Sequence, residues 1–295
     1  MVVTKLLTTC NEELEQHLIQ KEMSPETIRS YKGHNDMVIY YFNTKNNCPT
    51  FVDDLSTEDL EGYLHHLKHE KGYKPASLNV VLNAVRRLYQ YAIRKKYVLA
   101  NPTADIAQAK VQREERPFLN AAEINELLKA IDHKLIRLLV RTLAYTGLRI
   151  SECIDLTLKD VDFEQKVIRV INGKGGKNRS IPLSEELAVD LKAYVDNQRP
   201  KVASENFFAL KKTGTISDQY VNRELKVAVK KLGWTKHVTC HTLRHSFASI
   251  LVKNNANIPT VAKLLGHADY RTVTSIYIHV ETDDLADAVN QITLV

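Results

Sequence analysis

Residues 240–279 read CHTLRHSFASILVKNNANIPTVAKLLGHADYRTVTSIYIH. The chemistry in this stretch sits at three points: His241-Thr-Leu-Arg244-His245, Leu265-Gly266-His267 and Tyr277-Ile278-His279. Long, largely apolar segments separate them. Upstream, Thr146-Gly-Leu-Arg149-Ile-Ser-Glu152 adds a second arginine, and Gly173-Lys174-Gly-Gly-Lys177 adds lysine.

Together these residues fit chemistry at a phosphodiester. Such transfer needs a nucleophile, charge clamps on the non-bridging oxygens and a proton for the leaving oxygen. Arg149 and Arg244 suit the clamp, because guanidinium groups bind phosphate through two parallel hydrogen bonds and stay charged. Tyr277 suits the nucleophile, provided an acceptor or a positive field offsets its high intrinsic pKa. His241 can take a proton or donate to a phosphoryl oxygen, and His267 is a second donor. Lys174, on a turn, can reach a leaving 5′ oxygen as general acid. Glu152, one turn beyond Arg149, can hold a guanidinium or a histidine in place. Each residue alone has a plainer reading: a surface arginine, a structural histidine, one of 13 tyrosines in a core. The ordered set carries the signal.

The order T-G-x-R-x-x-E, G-K-G, H-x-x-R-H, L-G-H and Y-x-H resembles the catalytic domain of the tyrosine site-specific recombinases, the Xer and phage-integrase family, over about residues 118–280. The resemblance puts the catalytic arginines at Arg149 and Arg244, the lysine at Lys174, the histidines at His241 and His267, and the nucleophile at Tyr277, with Glu152 in support. One departure is visible. The stretch from His267 to Tyr277 is one residue longer than in the Xer proteins, and Tyr270 also lies in it. Tyr277 carries the family's Y-x-H wording and Tyr270 does not, so Tyr277 is taken as nucleophile.

What the resemblance implies is a 3′-phosphotyrosyl intermediate with a free 5′ hydroxyl, and strand exchange through a Holliday junction without ATP or metal. No cofactor and no metal site are expected. The 173–177 segment lacks the Ser or Thr that ends a nucleotide-binding loop, since Asn178 follows Lys177. His65, His66 and His69 include a zinc-compatible spacing, but no further ligand type lies nearby. The family also implies double-stranded DNA with an inverted-repeat site as partner. It implies a homotetramer on two sites, a dimer per site, linked by exchange of a C-terminal helix at about 283–292, and leaves room for an accessory protein.

The rest of the chain is read from its patterns. The patterns read as mostly α with a small antiparallel β-sheet in the catalytic domain; the resemblance implies that this domain forms, with the first, a two-domain C-shaped DNA clamp. Domain boundaries are expected at 1–100 for a helical domain, which the resemblance makes a SAM-like core DNA-binding domain, 101–117 for a linker, and 118–295 for the catalytic domain. Ser24-Pro25 caps a helix running to about Asn43, and Ser56-Thr-Glu-Asp59 opens another ending near Gly72. From Lys74 to Lys96, Leu78, Val81, Leu82, Val85, Leu88, Tyr89 and Ala92 form one apolar stripe at helical spacing. Asn79, Asn83, Arg86 and Gln90 form a polar stripe on another face; such side chains pair with base edges in a major groove. The plainer reading of that stripe is the wet face of an amphipathic helix. With Lys74 and Arg87, and with Lys177 and Arg179 beside the glycine-rich turn, they are the expected DNA contacts. β-Branched residues at 167–171 ending in Asn172-Gly173, followed by Arg179 to Leu183, predict the antiparallel sheet with Lys174 at its turn.

Composition agrees with this reading. The 295 residues suffice for two cored domains, 44% hydrophobic and 26% charged content is ordinary for a globular chain, and the net charge is +6. No acidic residue falls between Lys71 and Ala104 or between Leu225 and Ala268, whereas the final segment carries Glu281, Asp283, Asp284 and Asp287. Basic blocks in both halves suit a polyanion, although any single run is by default a solvated face. Cys10, Cys48, Cys153 and Cys240 have no metal or disulfide spacing, no secretory leader is evident and no run is long enough to span a membrane, so a cytoplasmic, membrane-free protein is expected. Two rival functions exist. A non-catalytic DNA-binding relative would lack one of the six catalytic positions. A type IB topoisomerase-like enzyme would nick and reseal without exchange.

Overall fold

In the computed structural model, the apolar stripe of residues 78–92 lies on helix α4 (Pro75–Arg94), where Leu78, Val81, Leu82, Val85, Leu88, Tyr89 and Ala92 are all buried. The structure describes residues 4–112, 117–171 and 178–266. Helices α1 (Leu7–Gln20), α2 (Pro25–Asn46) and α3 (Thr57–His69) surround α4. Ser24 caps α2 ahead of a proline in its first turn, and Ser56 with Asp59 closes a capping box on α3, as their sequences predict. Leu7, Leu14 and Leu18 of α1 and Phe42 of α2 complete the core, which also buries Tyr89 with its hydroxyl donating to the Val52 carbonyl at 3.0 Å. Helix–helix packing therefore supplies this unit's stability, and no sheet is needed.

The chain divides into two compact units, residues 1–114 and 115–295. In the second, α5 (Ala121–Ala130) and α6 (Lys134–Thr146) precede the short α7 (Ile150–Asp155). A three-stranded antiparallel sheet follows in the order β1 (Val161–Asp162), β2 (Val167–Val170), β3 (Arg179–Pro182), with Val170 paired to Arg179. Helices α8 (Glu185–Asn197), α9 (Asp218–Lys231), α10 (Cys240–Lys253) and α11 (Ile258–Leu265) complete the described part. Ile136, Leu139, Val140 and Leu143 of α6 are fully buried at the centre, with α8, α9 and α10 packed around this helix. Mostly α with a small antiparallel sheet is thus the observed class. Lys174 and Lys177, in the segment expected to turn between β2 and β3, and the expected exchange helix at 283–292, lie outside the described residues. Among the described residues no helix is long and apolar enough to cross a membrane.

The polar stripe of α4 is engaged within its own unit. Asn79 donates to the Ala109 carbonyl at 2.9 Å and accepts from the Ala109 amide at 2.8 Å. Arg86 donates to the carbonyls of Thr103 and Ile106. Asn83 accepts from Gln108 at 3.2 Å. Residues 101–109 are therefore strapped onto α4, with Thr103 and Ile106 buried beneath. Asn79 and Arg86, both half-buried, satisfy backbone groups of the strap. A stripe that looked like a groove-reading face is largely an intramolecular docking face. Lys74 and Gln90 are exposed and Arg87 is half-buried.

Asn79→Ala removes both bonds to Ala109. Net contributions of about 1 kcal/mol per bond make amide exchange over 101–109 at least about tenfold faster. Exchange measured by mass spectrometry checks this; unchanged protection at Ala109 would show the strap to be held some other way.

Candidate active site around Glu152

The site begins at the end of α6. Gly147 is in the left-handed region (φ +62°), and a Cβ there would overlap the Phe247 ring and lie 3.0 Å from Leu265. Only glycine allows the chain to turn this sharply under α10 and α11. Two residues later, Arg149 is the N-cap of α7. Its amide donates to Glu152 Oε2 at 2.8 Å, and its guanidinium donates to Glu152 Oε1 at 2.7 Å.

Arg244 comes from α10. Thr239 and Thr242 form the capping box of that helix, and the Cys240 amide donates to Asn222 at 3.1 Å. Arg244 is 8% exposed, and donates to the Gly147 carbonyl at 2.5 Å and the Leu265 carbonyl at 2.6 Å. Burial, then the neighbouring Arg149, pushes its pKa down to about 9, which leaves it charged at neutral pH. His241 is exposed in the first turn of α10, three residues before Arg244 and hence on the same side of the helix. The positive end of the helix dipole lies at that turn, an environment that favours an anion.

Helix α11 ends at Gly266, also left-handed (φ +65°). Arg149 reaches toward the Gly266 carbonyl, 3.5 Å away. Loop 147–149, the start of α10 and the end of α11 therefore converge through arginine-to-carbonyl bonds. Of the expected catalytic set, Arg149, Glu152, His241 and Arg244 fall in this region. Lys174, His267 and Tyr277, and the alternative Tyr270, lie outside the described residues, as does Lys177.

Arg179 joins the same network. Expected as a DNA contact, it has a side chain only 8% exposed. It donates to both Glu152 oxygens at 3.0 and 2.7 Å, and its Nε donates to the Leu264 carbonyl at 2.9 Å. Its guanidinium is committed to this network and does not face a solvent-side ligand. Strand alternation held the signal: Arg179 shares a face with buried Ile181, two residues on. Burial alone would raise the Glu152 pKa. The hydrogen bonds and charge of Arg179 and Arg149 outweigh it and hold the carboxyl at about 2.

The "Phage integrase family" model matches residues 117–283, and "Phage integrase, N-terminal SAM-like domain" matches residues 12–96. The chain belongs to the phage integrase family of tyrosine recombinases. It is 32% identical to the tyrosine recombinase XerD of Staphylococcus saprophyticus, over 96% of this chain and 98% of that protein. It is 31% identical to XerD of Staphylococcus aureus, with the same coverage. Among solved structures, the Tn1549 transposon integrase in complex with a circular intermediate DNA aligns over 98% of this chain and 100% of that one, at 21% identity and a TM-score of 0.76. A lambda integrase dimer bound to a core site aligns over 92% of this chain and 77% of that chain, at 19% identity and a TM-score of 0.75. These two likenesses establish the fold. The relatives make this recombinase a DNA strand-exchange enzyme of the Xer and integrase type.

The Glu152 carboxylate has a lower pKa folded than unfolded, where about 4.3 is expected. Its contribution to stability is complete above about pH 4.3 and is lost as pH falls toward about 2. Glu152→Gln is expected to cost about 3 kcal/mol at neutral pH, by breaking a buried ion network. Urea midpoints from pH 6 to pH 2 should show the gap between wild type and variant closing on the acid side. A gap independent of pH would mean that the carboxylate charge is not what the network uses.

Proposed function

We propose that this recombinase cleaves DNA with Tyr277, forming a 3′-phosphotyrosyl bond and a free 5′ hydroxyl. A 5′ hydroxyl of the partner duplex then attacks that bond, restoring the phosphodiester and releasing the tyrosine. The bond energy is carried through the covalent intermediate, so no step calls for ATP.

The observation that carries this reading is the convergence of Arg149 and Arg244. Each is fixed by backbone carbonyls of the other's neighbourhood, at Gly147, Leu265 and Gly266. Two rigid guanidinium groups beside a helix N-terminus are a preorganised field for the extra negative charge of a pentacoordinate phosphorus. His241, exposed on the same turn, donates to a non-bridging oxygen. His267 directly follows the pinned Gly266, and we assign it the second histidine role. Lys174, between β2 and β3, protonates the leaving 5′ oxygen.

In this reading the substrate is duplex DNA with an inverted-repeat site, bound by a dimer per site and recombined in a tetramer through a Holliday junction. The C-terminal segment at about 283–292 docks on a neighbouring protomer, and the head-to-tail contacts close a ring. Residues 101–117 connect the helical DNA-binding region, 1–100, to the catalytic region, 118–295, and the strap at 101–109 fastens the first part of that connection to α4. Lys74, Arg87 and Gln90 contribute contacts from α4. The setting is dimer resolution of the Xer kind or recombination encoded by a mobile element, in the cytoplasm.

The test is covalent capture. Wild-type protein incubated with sheared DNA of the source organism, without metal or ATP, is expected to yield adducts at one inverted-repeat sequence, and Tyr277→Phe none. Arg149→Ala and Arg244→Ala should slow adduct formation by about 10²–10³-fold. Adducts that survive Tyr277→Phe would move the nucleophile to Tyr270. Relaxation of supercoils without recombinants would favour the topoisomerase-like reading.

A further inference from the structure

We infer that Arg179 is a positioning residue for strand cleavage, acting as the buried counter-ion that lets Glu152 orient Arg149 without cancelling its charge. The inference rests on the cleavage reading above.

Glu152 bonds both the amide and the guanidinium of Arg149. A carboxylate in that place alone would fix Arg149 and also neutralise it, leaving little attraction for a phosphate. Arg179 changes the balance. It takes both carboxylate oxygens through its two terminal nitrogens, the forked geometry that only arginine offers. Its side chain is 8% exposed, whereas that of Arg149 is 21% exposed. The buried arginine is thus the ion partner, and the more accessible one keeps its charge available. Arg149 at the cap of α7 and Arg179 of β3 bond the one carboxylate, and Arg244 of α10 adds a third positive charge close enough to feel it, leaving a net positive excess.

Arg179 also ties three segments together. It is the first residue of β3, five positions after Lys174 in the sequence. Its Nε holds the Leu264 carbonyl in the last turn of α11, just ahead of His267. A Cβ on Gly266 would lie 2.9–3.1 Å from the Arg179 side chain, so Gly266 is needed for this close approach. Strand β3, the end of α11 and the Arg149 helix are therefore locked in register by one side chain. Lysine could replace its charge but not this three-way bridge.

The experiment compares wild type, Arg179→Lys, Arg179→Met, Glu152→Gln and the Glu152→Gln/Arg179→Met double variant as full chains. Single-turnover adduct formation, DNA affinity, thermal unfolding and amide exchange are measured on each. Arg179→Lys is expected to keep DNA affinity within about threefold and much of the thermal stability, yet to cleave about 10²-fold more slowly, as expected for lost positioning. The double variant should cleave faster than the product of the two single losses, because both residues belong to one network. Peptides spanning 149–155 and 262–266 should exchange faster together in Arg179→Lys and Arg179→Met. Wild-type cleavage by Arg179→Lys would overturn the proposal, as would parallel losses of cleavage, affinity and stability. If wild type itself forms no adduct, the cleavage reading fails. The exchange data then still decide the bridge: unchanged exchange in both segments refutes it, and coupled exchange upholds it as a structural coupling.

Discussion

A carboxylate buried among guanidinium groups is the interaction on which the second unit's site depends. Glu152 is held ionised by Arg179 and Arg149, and without them its burial would be costly. Because Arg149 caps α7 and Arg179 begins β3, satisfying this one charge sets the position of a helix relative to a sheet. Arg244 then closes the assembly from α10 by donating to the Gly147 and Leu265 carbonyls. Positive charges brought this close must be kept apart and anchored, and backbone carbonyls with one carboxylate do both.

The two units use the same device for different ends. In the first unit, Asn79 and Arg86 satisfy backbone groups of residues 101–109 and fasten that segment to α4. In the second, Arg179 and Arg244 satisfy backbone groups at the end of α11. Long polar side chains serve here as surrogates for secondary structure where the chain is irregular. Left-handed glycines mark the tightest of these places. Gly147 and Gly266 each lie where a side chain would collide with a neighbour, and each carries a carbonyl that faces an arginine.

Much of the architecture was legible in the sequence, because periodicity, caps and breakers are local. The stripe from Leu78 to Ala92 is the buried face of α4, and Ser24 and Ser56 cap the helices they announced. Strands at 167–170 and 179–182 pair in the expected antiparallel sense. Spacing also brought Arg149, Glu152, His241 and Arg244 into one candidate site. Their membership in one family pattern was readable from order alone, since the order of chemically distinct residues survives where overall identity is low.

What the sequence determined by itself was therefore the fold class, the family and the residue types of the candidate site. What only the tertiary structure decided was which polar side chains point outward. Asn79, Arg86 and Arg179 are the residues that a reader in search of DNA contacts selects, and all three are turned inward by partners 17 to 85 positions away in the chain. The physical reason is that an arginine or asparagine is equally suited to a phosphate, a base edge or an unpaired carbonyl. Local sequence sets the donor's chemistry; the fold sets which acceptor is nearest and how much desolvation each alternative costs.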